Sequence, residues 1–363
     1  MQQAVRRQLV TDVELGSYLS GGVDSGALTA LAARELPYVK TFTCGFDMSS
    51  ASGIELAFDE RARAEAMSAL FKTEHYEMVL KAGDMERCLP RLARHIEEPR
   101  VGQSYPNYYA AQLASKFVKV VLSGAGGDEL FGGYPRYLGI RLASYYQALP
   151  RAVRSWLAAS ASRACRERGT GRDYLGRVRR FVEHGHRPLA EQYRRWTTFI
   201  PAEWETGIWS RAMRDALPHG YAPSRPSPLF EQWPSDNPTD RAMGLDLQTY
   251  LPDDLLRMGD RMSMAHSLEL RVPFCDHLLL ACALRVSPSL RLAGWQLKGF
   301  MRSALRGLVP GHGHPTTDPA AIQTRLSEDR AYLGELSQRV VRAVRQGLSA
   351  EATVEVCASI PYR

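Results

Sequence analysis

The chain has no long hydrophobic run. No window approaches the roughly 20 apolar residues needed to span a bilayer, and the start, MQQAVRRQLVTDVELGSYL, lacks the uninterrupted apolar core of a signal peptide. A membrane association is therefore not expected, and the expected compartment is the cytoplasm. Paired cysteines are also missing: Cys44, Cys88, Cys165, Cys275, Cys282 and Cys357 lie far apart and form no CxxC pair. Neither a disulfide framework nor a zinc cluster is signalled, and reduced thiols are the expectation. There is no internal repeat and no compositional extreme. At 363 residues and 45% hydrophobic, the chain can bury one large core or two smaller ones, which excludes disordered, collagenous and coiled-coil classes.

Charge is unbalanced only modestly. The net +7 comes from 46 basic against 39 acidic residues, and much of the arginine excess lies between Arg151 and Arg195. No aromatic-interleaved basic strand, recognition helix or zinc finger accompanies it, so nucleic acid is not an expected partner.

What is present is an alternation of strand and helix signals in the first third of the chain, the pattern of a parallel sheet flanked by helices. Strands are expected at 13–19, 38–46, 74–80 and 117–122, and helices at 25–36, 58–71, 84–95 and 104–116. The near-continuous apolar character of 118–122 suits a strand buried on both faces. Beyond about Tyr134 strand signals fade and amphipathic segments take over. Residues 220–240, with Pro223, Pro226, Pro228, Pro234 and Pro238, read as a long loop.

The stretch LSGGVDSGALTALAAR, residues 19–34, joins the first strand to the first of these helices. Leu28, Leu31, Ala32 and Leu36 share one helical face, so the helix is expected to start near Ser25 and to pack on the sheet. Its free N–H groups then sit where the strand ends. Gly21 and Gly22 leave the backbone open to a bulky anion, and Ser20 and Ser25 add hydroxyls, a nest suited to phosphate or pyrophosphate. Asp24 would repel such an anion unless a Mg²⁺ ion bridged the two, and magnesium is commonly held by one or two carboxylates plus substrate phosphates. An N-cap turn is the alternative reading, since Ser, Gly and Asp are all common where a strand hands over to a helix.

The stretch LSGAGGDELFGGYPRY, residues 122–137, repeats the logic. Gly124, Gly126 and Gly127 permit close approach, and Asp128 and Glu129 bring carboxylates to the same sheet edge. Ligands of doubly wound sheets gather at the carboxyl ends of the strands, so both loops can serve one site. A glycine turn whose acids cap the next helix is the alternative.

SGGVDS after a buried strand resembles the pyrophosphate loop of the ATP pyrophosphatase (PP-loop) superfamily, which cleaves ATP between its α- and β-phosphates. LSGAGGDELFGGYPRY narrows the resemblance to the synthetase domain of the glutamine-hydrolysing asparagine synthetases and their amidotransferase relatives. YLPDDLLRMGDRMSMAHSLELRVPFCDH, residues 250–277, is similar to the family's third motif, and TFTCGF, KTEHYEMVL and HIEEP agree more weakly. The similarity runs in order from residue 4 to about residue 310.

The resemblance implies an α/β fold of the adenine nucleotide alpha hydrolase-like type, with a nucleotide core over 1–135, a mostly helical part over 136–310 and a divergent tail over 311–363. It implies adenosine along Leu19, Cys44, Ser123 and Gly124, pyrophosphate on Ser20, Gly21, Gly22, Asp24 and Ser25, and Mg²⁺ on Asp24 and Asp128. Arg261, Glu269, Arg271 and Asp276 of the third motif are either functional charges or a salt-bridged layer beneath the site. The implied reaction is ATP-dependent conversion of aspartate to asparagine through β-aspartyl-AMP, with release of AMP and pyrophosphate. A homodimer is compatible with it.

Three departures qualify that reaction. SGGVDS arrives by residue 20 and position 2 is Gln, so the N-terminal glutaminase domain of the family is expected to be missing. Ammonia would then come from solution or from a separate glutaminase subunit, or the reading frame begins further upstream. Ala125 stands where the family usually carries an acid linked to adenylate formation, and alanine can neither accept a proton nor bind a cation. Glu129 is the nearby acid. After LRGLVP, residues 305–310, the family's Arg-x-Lys stretch is replaced by GHGHPTTDPAAIQTRL, for which a frameshift is one reading; HGH alone makes no metal site. A nucleotide-binding pseudoenzyme or truncated fragment, and an amidotransferase acting on a polysaccharide, peptide or β-lactam precursor, are the alternative functions.

Overall fold

The computed structural model describes residues 1–306 apart from 48, 50–58, 98–103, 165–180, 183–184, 186, 199–203, 205–206, 208 and 217–227. The tail with the proposed frameshift and the HGH stretch lies outside the described residues. The chain divides into two compact units, Met1–Phe300 and Met301–Arg363. Nearly all described elements belong to the first.

The order of elements begins α1 (Gln2–Gln8), β1 (Leu15–Tyr18), α2 (Val23–Glu35), β2 (Lys40–Phe46), α3 (Arg61–Phe71), β3 (Glu74–Leu80), α4 (Asp84–Ile96), α5 (Ser104–Ala114) and β4 (Val120–Leu122). A helical stretch follows: α6 (Gly127–Phe131), α7 (Pro135–Gln147), α8 (Arg151–Ala164), α9 (Leu189–Thr197), α10 (Arg211–Ala216), α11 (Pro228–Gln232) and α12 (Pro238–Gln248). A π-helical turn (Tyr250–Leu256) leads into α13 (Arg257–Met264), β5 (Glu269–Arg271), a short 3-10 turn (Pro273–Cys275), α14 (His277–Leu284), α15 (Pro288–Arg291) and α16 (Gly299–Arg306).

All five strands are parallel, in the order β3-β2-β1-β4-β5. β1 and β4 are central, with Val120, Val121 and Leu122 buried on both faces, and helices cover the sheet because parallel strands need long crossovers. The carboxyl ends of β1 and β4 are adjacent, Ser17 standing beside Leu122. Both glycine loops therefore leave the sheet at one edge.

Several expectations need correction. The strand expected over 117–122 shortens to three residues, because Phe117 N and Val118 N donate to the Ala114 carbonyl in the turn that closes α5. β5 is a strand in the part expected to be mostly helical: Glu269 N donates to Lys119 O, and a three-residue strand is too short to show alternation in sequence. The long loop expected at 220–240 contains α11 and the start of α12. Pro228 and Pro238 open those helices, where a missing N–H costs nothing, and Asn237 Oδ1 caps the second by accepting from Thr239 N at 2.9 Å and Asp240 N at 3.4 Å. α2 begins at Val23 rather than near Ser25, which puts Asp24 in its first turn.

In the helical part, buried Asp246 of α12 accepts from Tyr137 Oη and Tyr193 Oη, both at 2.5 Å, and from Arg136 Nη2 at 2.8 Å. The Arg136 guanidinium also lies 3.9 Å over the Tyr134 ring and 4.9 Å over the Tyr250 ring. This network ties α7, α9 and α12 together directly after the second glycine loop.

Candidate nucleotide and metal site

The first loop is closed by its serines. The Ser20 and Ser25 hydroxyls lie 2.9 Å apart, Ser20 N donates to Ser25 Oγ at 3.1 Å, and Gly22 N donates to Ser20 Oγ at 3.3 Å. Ser25 is buried, so its hydroxyl holds the loop in shape. Gly22 is the N-cap of α2, and no side chain caps that end. Its first N–H groups remain available to an anion. Gly21 has a second reason to be glycine: a Cβ there would stand 2.4 Å from Arg63 Cβ of α3. The close approach of α3 requires it.

The second loop is pressed against the first. A Cβ on Gly127 would lie 2.5 Å from Asp24 Cγ, and one on Gly124 would lie 3.1 Å from Asp24 Cβ. Gly126 has a φ of 90°, a conformation that side chains rarely adopt, and caps α6. Asp128 and Glu129, in the first turn of α6, then go to different places. Asp128 is partly exposed at the loop edge. Glu129 is fully buried, its Oε1 accepting from Tyr134 Oη at 2.6 Å. Burial pushes the Glu129 carboxyl up to about 7, against the lowering effect of the Tyr134 hydrogen bond.

Asp24 and Asp128 converge on one cation. Lys298 Nζ lies 2.5 Å from Asp24 Oδ2 and 2.6 Å from Asp128 Oδ1. Burial opposes the charge on Lys298, but the two carboxylates outweigh it and raise the ammonium above its ordinary value. Sequence reasoning missed this residue. The signal available was only a lysine just before α16, in a stretch without an acid of its own.

The same two carboxylates fit the magnesium ion that the resemblance implies. They already hold a common cation, and an oxygen donor set suits a hard divalent ion. Among the described residues no group of three or more His, Cys, Asp and Glu could hold a metal. Among the described residues, Asp24 and Asp128 are the carboxylates that would hold such an ion.

Of the positions implied for adenosine, Leu19 is a core residue at 1% exposure, bonded through N to Phe42 O at 3.0 Å. Burial pushes the Cys44 thiol up to about 12, so it remains neutral. Ser123 lines a cavity of about 180 Å³ with Tyr18, Asn107, Ala125, Met258 and Ser263. None of the described residues lining that cavity is acidic. Arg261, Glu269, Arg271 and Asp276 of the third motif each sit in an ion pair: Arg261 with Glu97 at 2.6 Å, Arg271 with Glu269 at 2.7 Å, and Asp276 with Arg7 at 2.6 Å. Arg271 Nη1 also donates to the Gln8 and Val10 carbonyls at 2.7 Å. The Arg271 and Asp276 contacts join α1, β5 and α14, while the Arg261 pair joins α13 to the end of α4.

The family model described as asparagine synthase matches residues 1–314. The chain belongs to the asparagine synthase family. Among its relatives, a provisionally named glutamine-hydrolysing asparagine synthetase of Mycobacterium bovis is 34% identical over 321 residues, 86% of this chain and 45% of that protein. Glutamine-hydrolysing asparagine synthetase 1 of Bacillus subtilis is 28% identical over 315 residues, 85% of this chain and 46% of that one. The chain thus spans about half the length of these asparagine synthase family relatives. Among the described residues no helix is long and apolar enough to cross a membrane.

Proposed function

We propose that this chain catalyses ATP-dependent amide formation, converting aspartate to asparagine. The observation that carries the reading is the meeting of Asp24 and Asp128 at one cation, at the carboxyl ends of β1 and β4. That is where a parallel α/β sheet places its ligands. The open N-terminus of α2 takes the β- and γ-phosphates of ATP, and Asp24 and Asp128 hold the magnesium that accompanies them. Magnesium at these carboxylates would neutralise charge on the departing pyrophosphate. The aspartate β-carboxylate oxygen attacks the α-phosphorus, the bond to the bridging oxygen breaks, and pyrophosphate leaves. Ammonia, from solution or from a separate glutaminase subunit, then attacks the β-acyl carbon of β-aspartyl-AMP and expels AMP.

A second reading, nucleotide binding without turnover, draws on Ala125. Ala125 lines the cavity, and none of the described residues lining it is an acid. The two separate in an exchange assay: isotopic pyrophosphate is incorporated into ATP when a carboxylate is activated reversibly. Aspartate-dependent exchange is expected in the wild-type chain, with a loss of at least about 100-fold in Asp128→Asn, the scale of removing one group that stabilises transition-state charge. Nucleotide binding without exchange for any carboxylate supports the second reading instead.

A further inference from the structure

Lys298 stands where both loops present their carboxylates, and it is built into that position. Its N donates to Gly132 O at 3.1 Å, at the end of the second glycine loop, and its backbone has a φ of 57°. The side chain is 12% exposed. Gly133 leaves just enough space for it, since a Cβ there would lie 2.3 Å from Lys298 Cε. Two carboxylates aimed at one half-buried point repel each other unless a cation lies between them. The ammonium supplies that charge from within the chain.

We propose that Lys298 is a resident cation of the metal site, which Asp24 and Asp128 exchange for a divalent ion only when the triphosphate arrives with it. The proposal rests on the ATP reading above. A divalent ion arriving alone would have to lose part of its water shell and leave a buried ammonium without its carboxylates, and uncompensated buried charge is strongly unfavourable. A triphosphate changes both sides of that exchange. Its oxygens complete the metal shell and give the displaced ammonium new anionic partners. Metal and nucleotide affinities are therefore coupled, each raising the other by the same factor. Lys298 acts here as a positioning and gating residue for the two metal ligands.

The test uses the full chain, Mn²⁺ as the paramagnetic probe and α,β-methylene-ATP as the uncleaved nucleotide. Wild-type protein is expected to bind Mn²⁺ alone at least about tenfold more weakly than it does with the analogue present, a factor of about 1.4 kcal/mol in coupling. Lys298→Met is expected to bind Mn²⁺ alone about tenfold more tightly than wild type, and the analogue more weakly. Lys298→Arg, which keeps the charge, is expected to stay near wild type for Mn²⁺ alone. Equal Mn²⁺ affinity of the wild-type chain with and without the analogue overturns the proposal even if neither variant folds. So does an unchanged Mn²⁺ affinity in folded Lys298→Met. If the analogue fails to bind wild-type protein with any divalent metal, the ATP reading itself falls.

Discussion

Adjacent in sequence, Asp128 and Glu129 show how differently two carboxylates can be used when a short helix turns one outward and the other inward. Asp128 joins Asp24 on Lys298, whereas Glu129 lies in the core with Tyr134 as its hydrogen-bond donor. The Glu129 carboxyl ordinarily ionises near 4.5 and in the folded chain is pushed up to about 7. Folding therefore takes up a proton between those values, and stability falls as pH rises through that window. Glu129→Gln keeps an acceptor for Tyr134 and carries no charge. It is expected to be more stable than wild type at about pH 8, by up to roughly 3 kcal/mol, with the advantage fading near pH 4.5. Urea unfolding at the two pH values measures it, and an equal difference at both contradicts the assignment of a buried, proton-holding Glu129. Ala125 was legible from its position in the second motif; Lys298 was not, because nothing local marks a lysine that acts on residues 170 and 274 positions away in the chain.

Among the elements, α1 is tied to α14 by one well-made ion pair. Arg7 Nε and Nη2 donate to Asp276 at 2.9 Å and 2.6 Å, and the same carboxylate caps α14 by accepting from Leu278 N and Leu279 N at 3.1 Å. The Arg7 hydrogen bond, against the effect of burial, holds the Asp276 carboxyl down to about 2. A depressed carboxylate contributes stability that is fully present above its unfolded value and is lost as pH falls through its folded one. Asp276→Asn is thus expected to melt at a lower temperature near neutral pH, with the difference from wild type closing as pH falls from 3.8 toward about 2. Melting curves across that range test the sign; a gap that persists at the acid end rules it out. Elements with a strong local pattern matched their sequence reading closely, as β3 does over 74–80. Those that depend on a neighbour did not. β5 exists because β4 offers an unpaired edge, and α12 starts where Asn237 can cap it despite the prolines around it.

For the molecule as a whole, ligand binding and stability are linked by mass action. If ATP and magnesium bind the folded chain alone, a concentration about 100 times the dissociation constant is expected to add about 2.7 kcal/mol of stability. A rise in melting temperature with the pair together, much larger than with magnesium alone, is the expected thermal signature; equal effects of the two contradict it. The family and the parallel sheet were readable from sequence because strand–loop–helix alternation and glycine loops are written in consecutive residues, as Gly126 shows with its positive φ at the start of α6. The sequence by itself also marked Asp24, Asp128 and Glu129 as the acids of the two loops, since an acid beside an anion-binding loop calls for a cation. Only the tertiary structure decided what that cation is in the chain alone and which acid is withdrawn from it. Lys298 reaches Asp24 and Asp128 across long-range packing, and Glu129 is removed by the turn of α6, and neither long-range packing nor the inward face of a five-residue helix leaves a pattern along the chain.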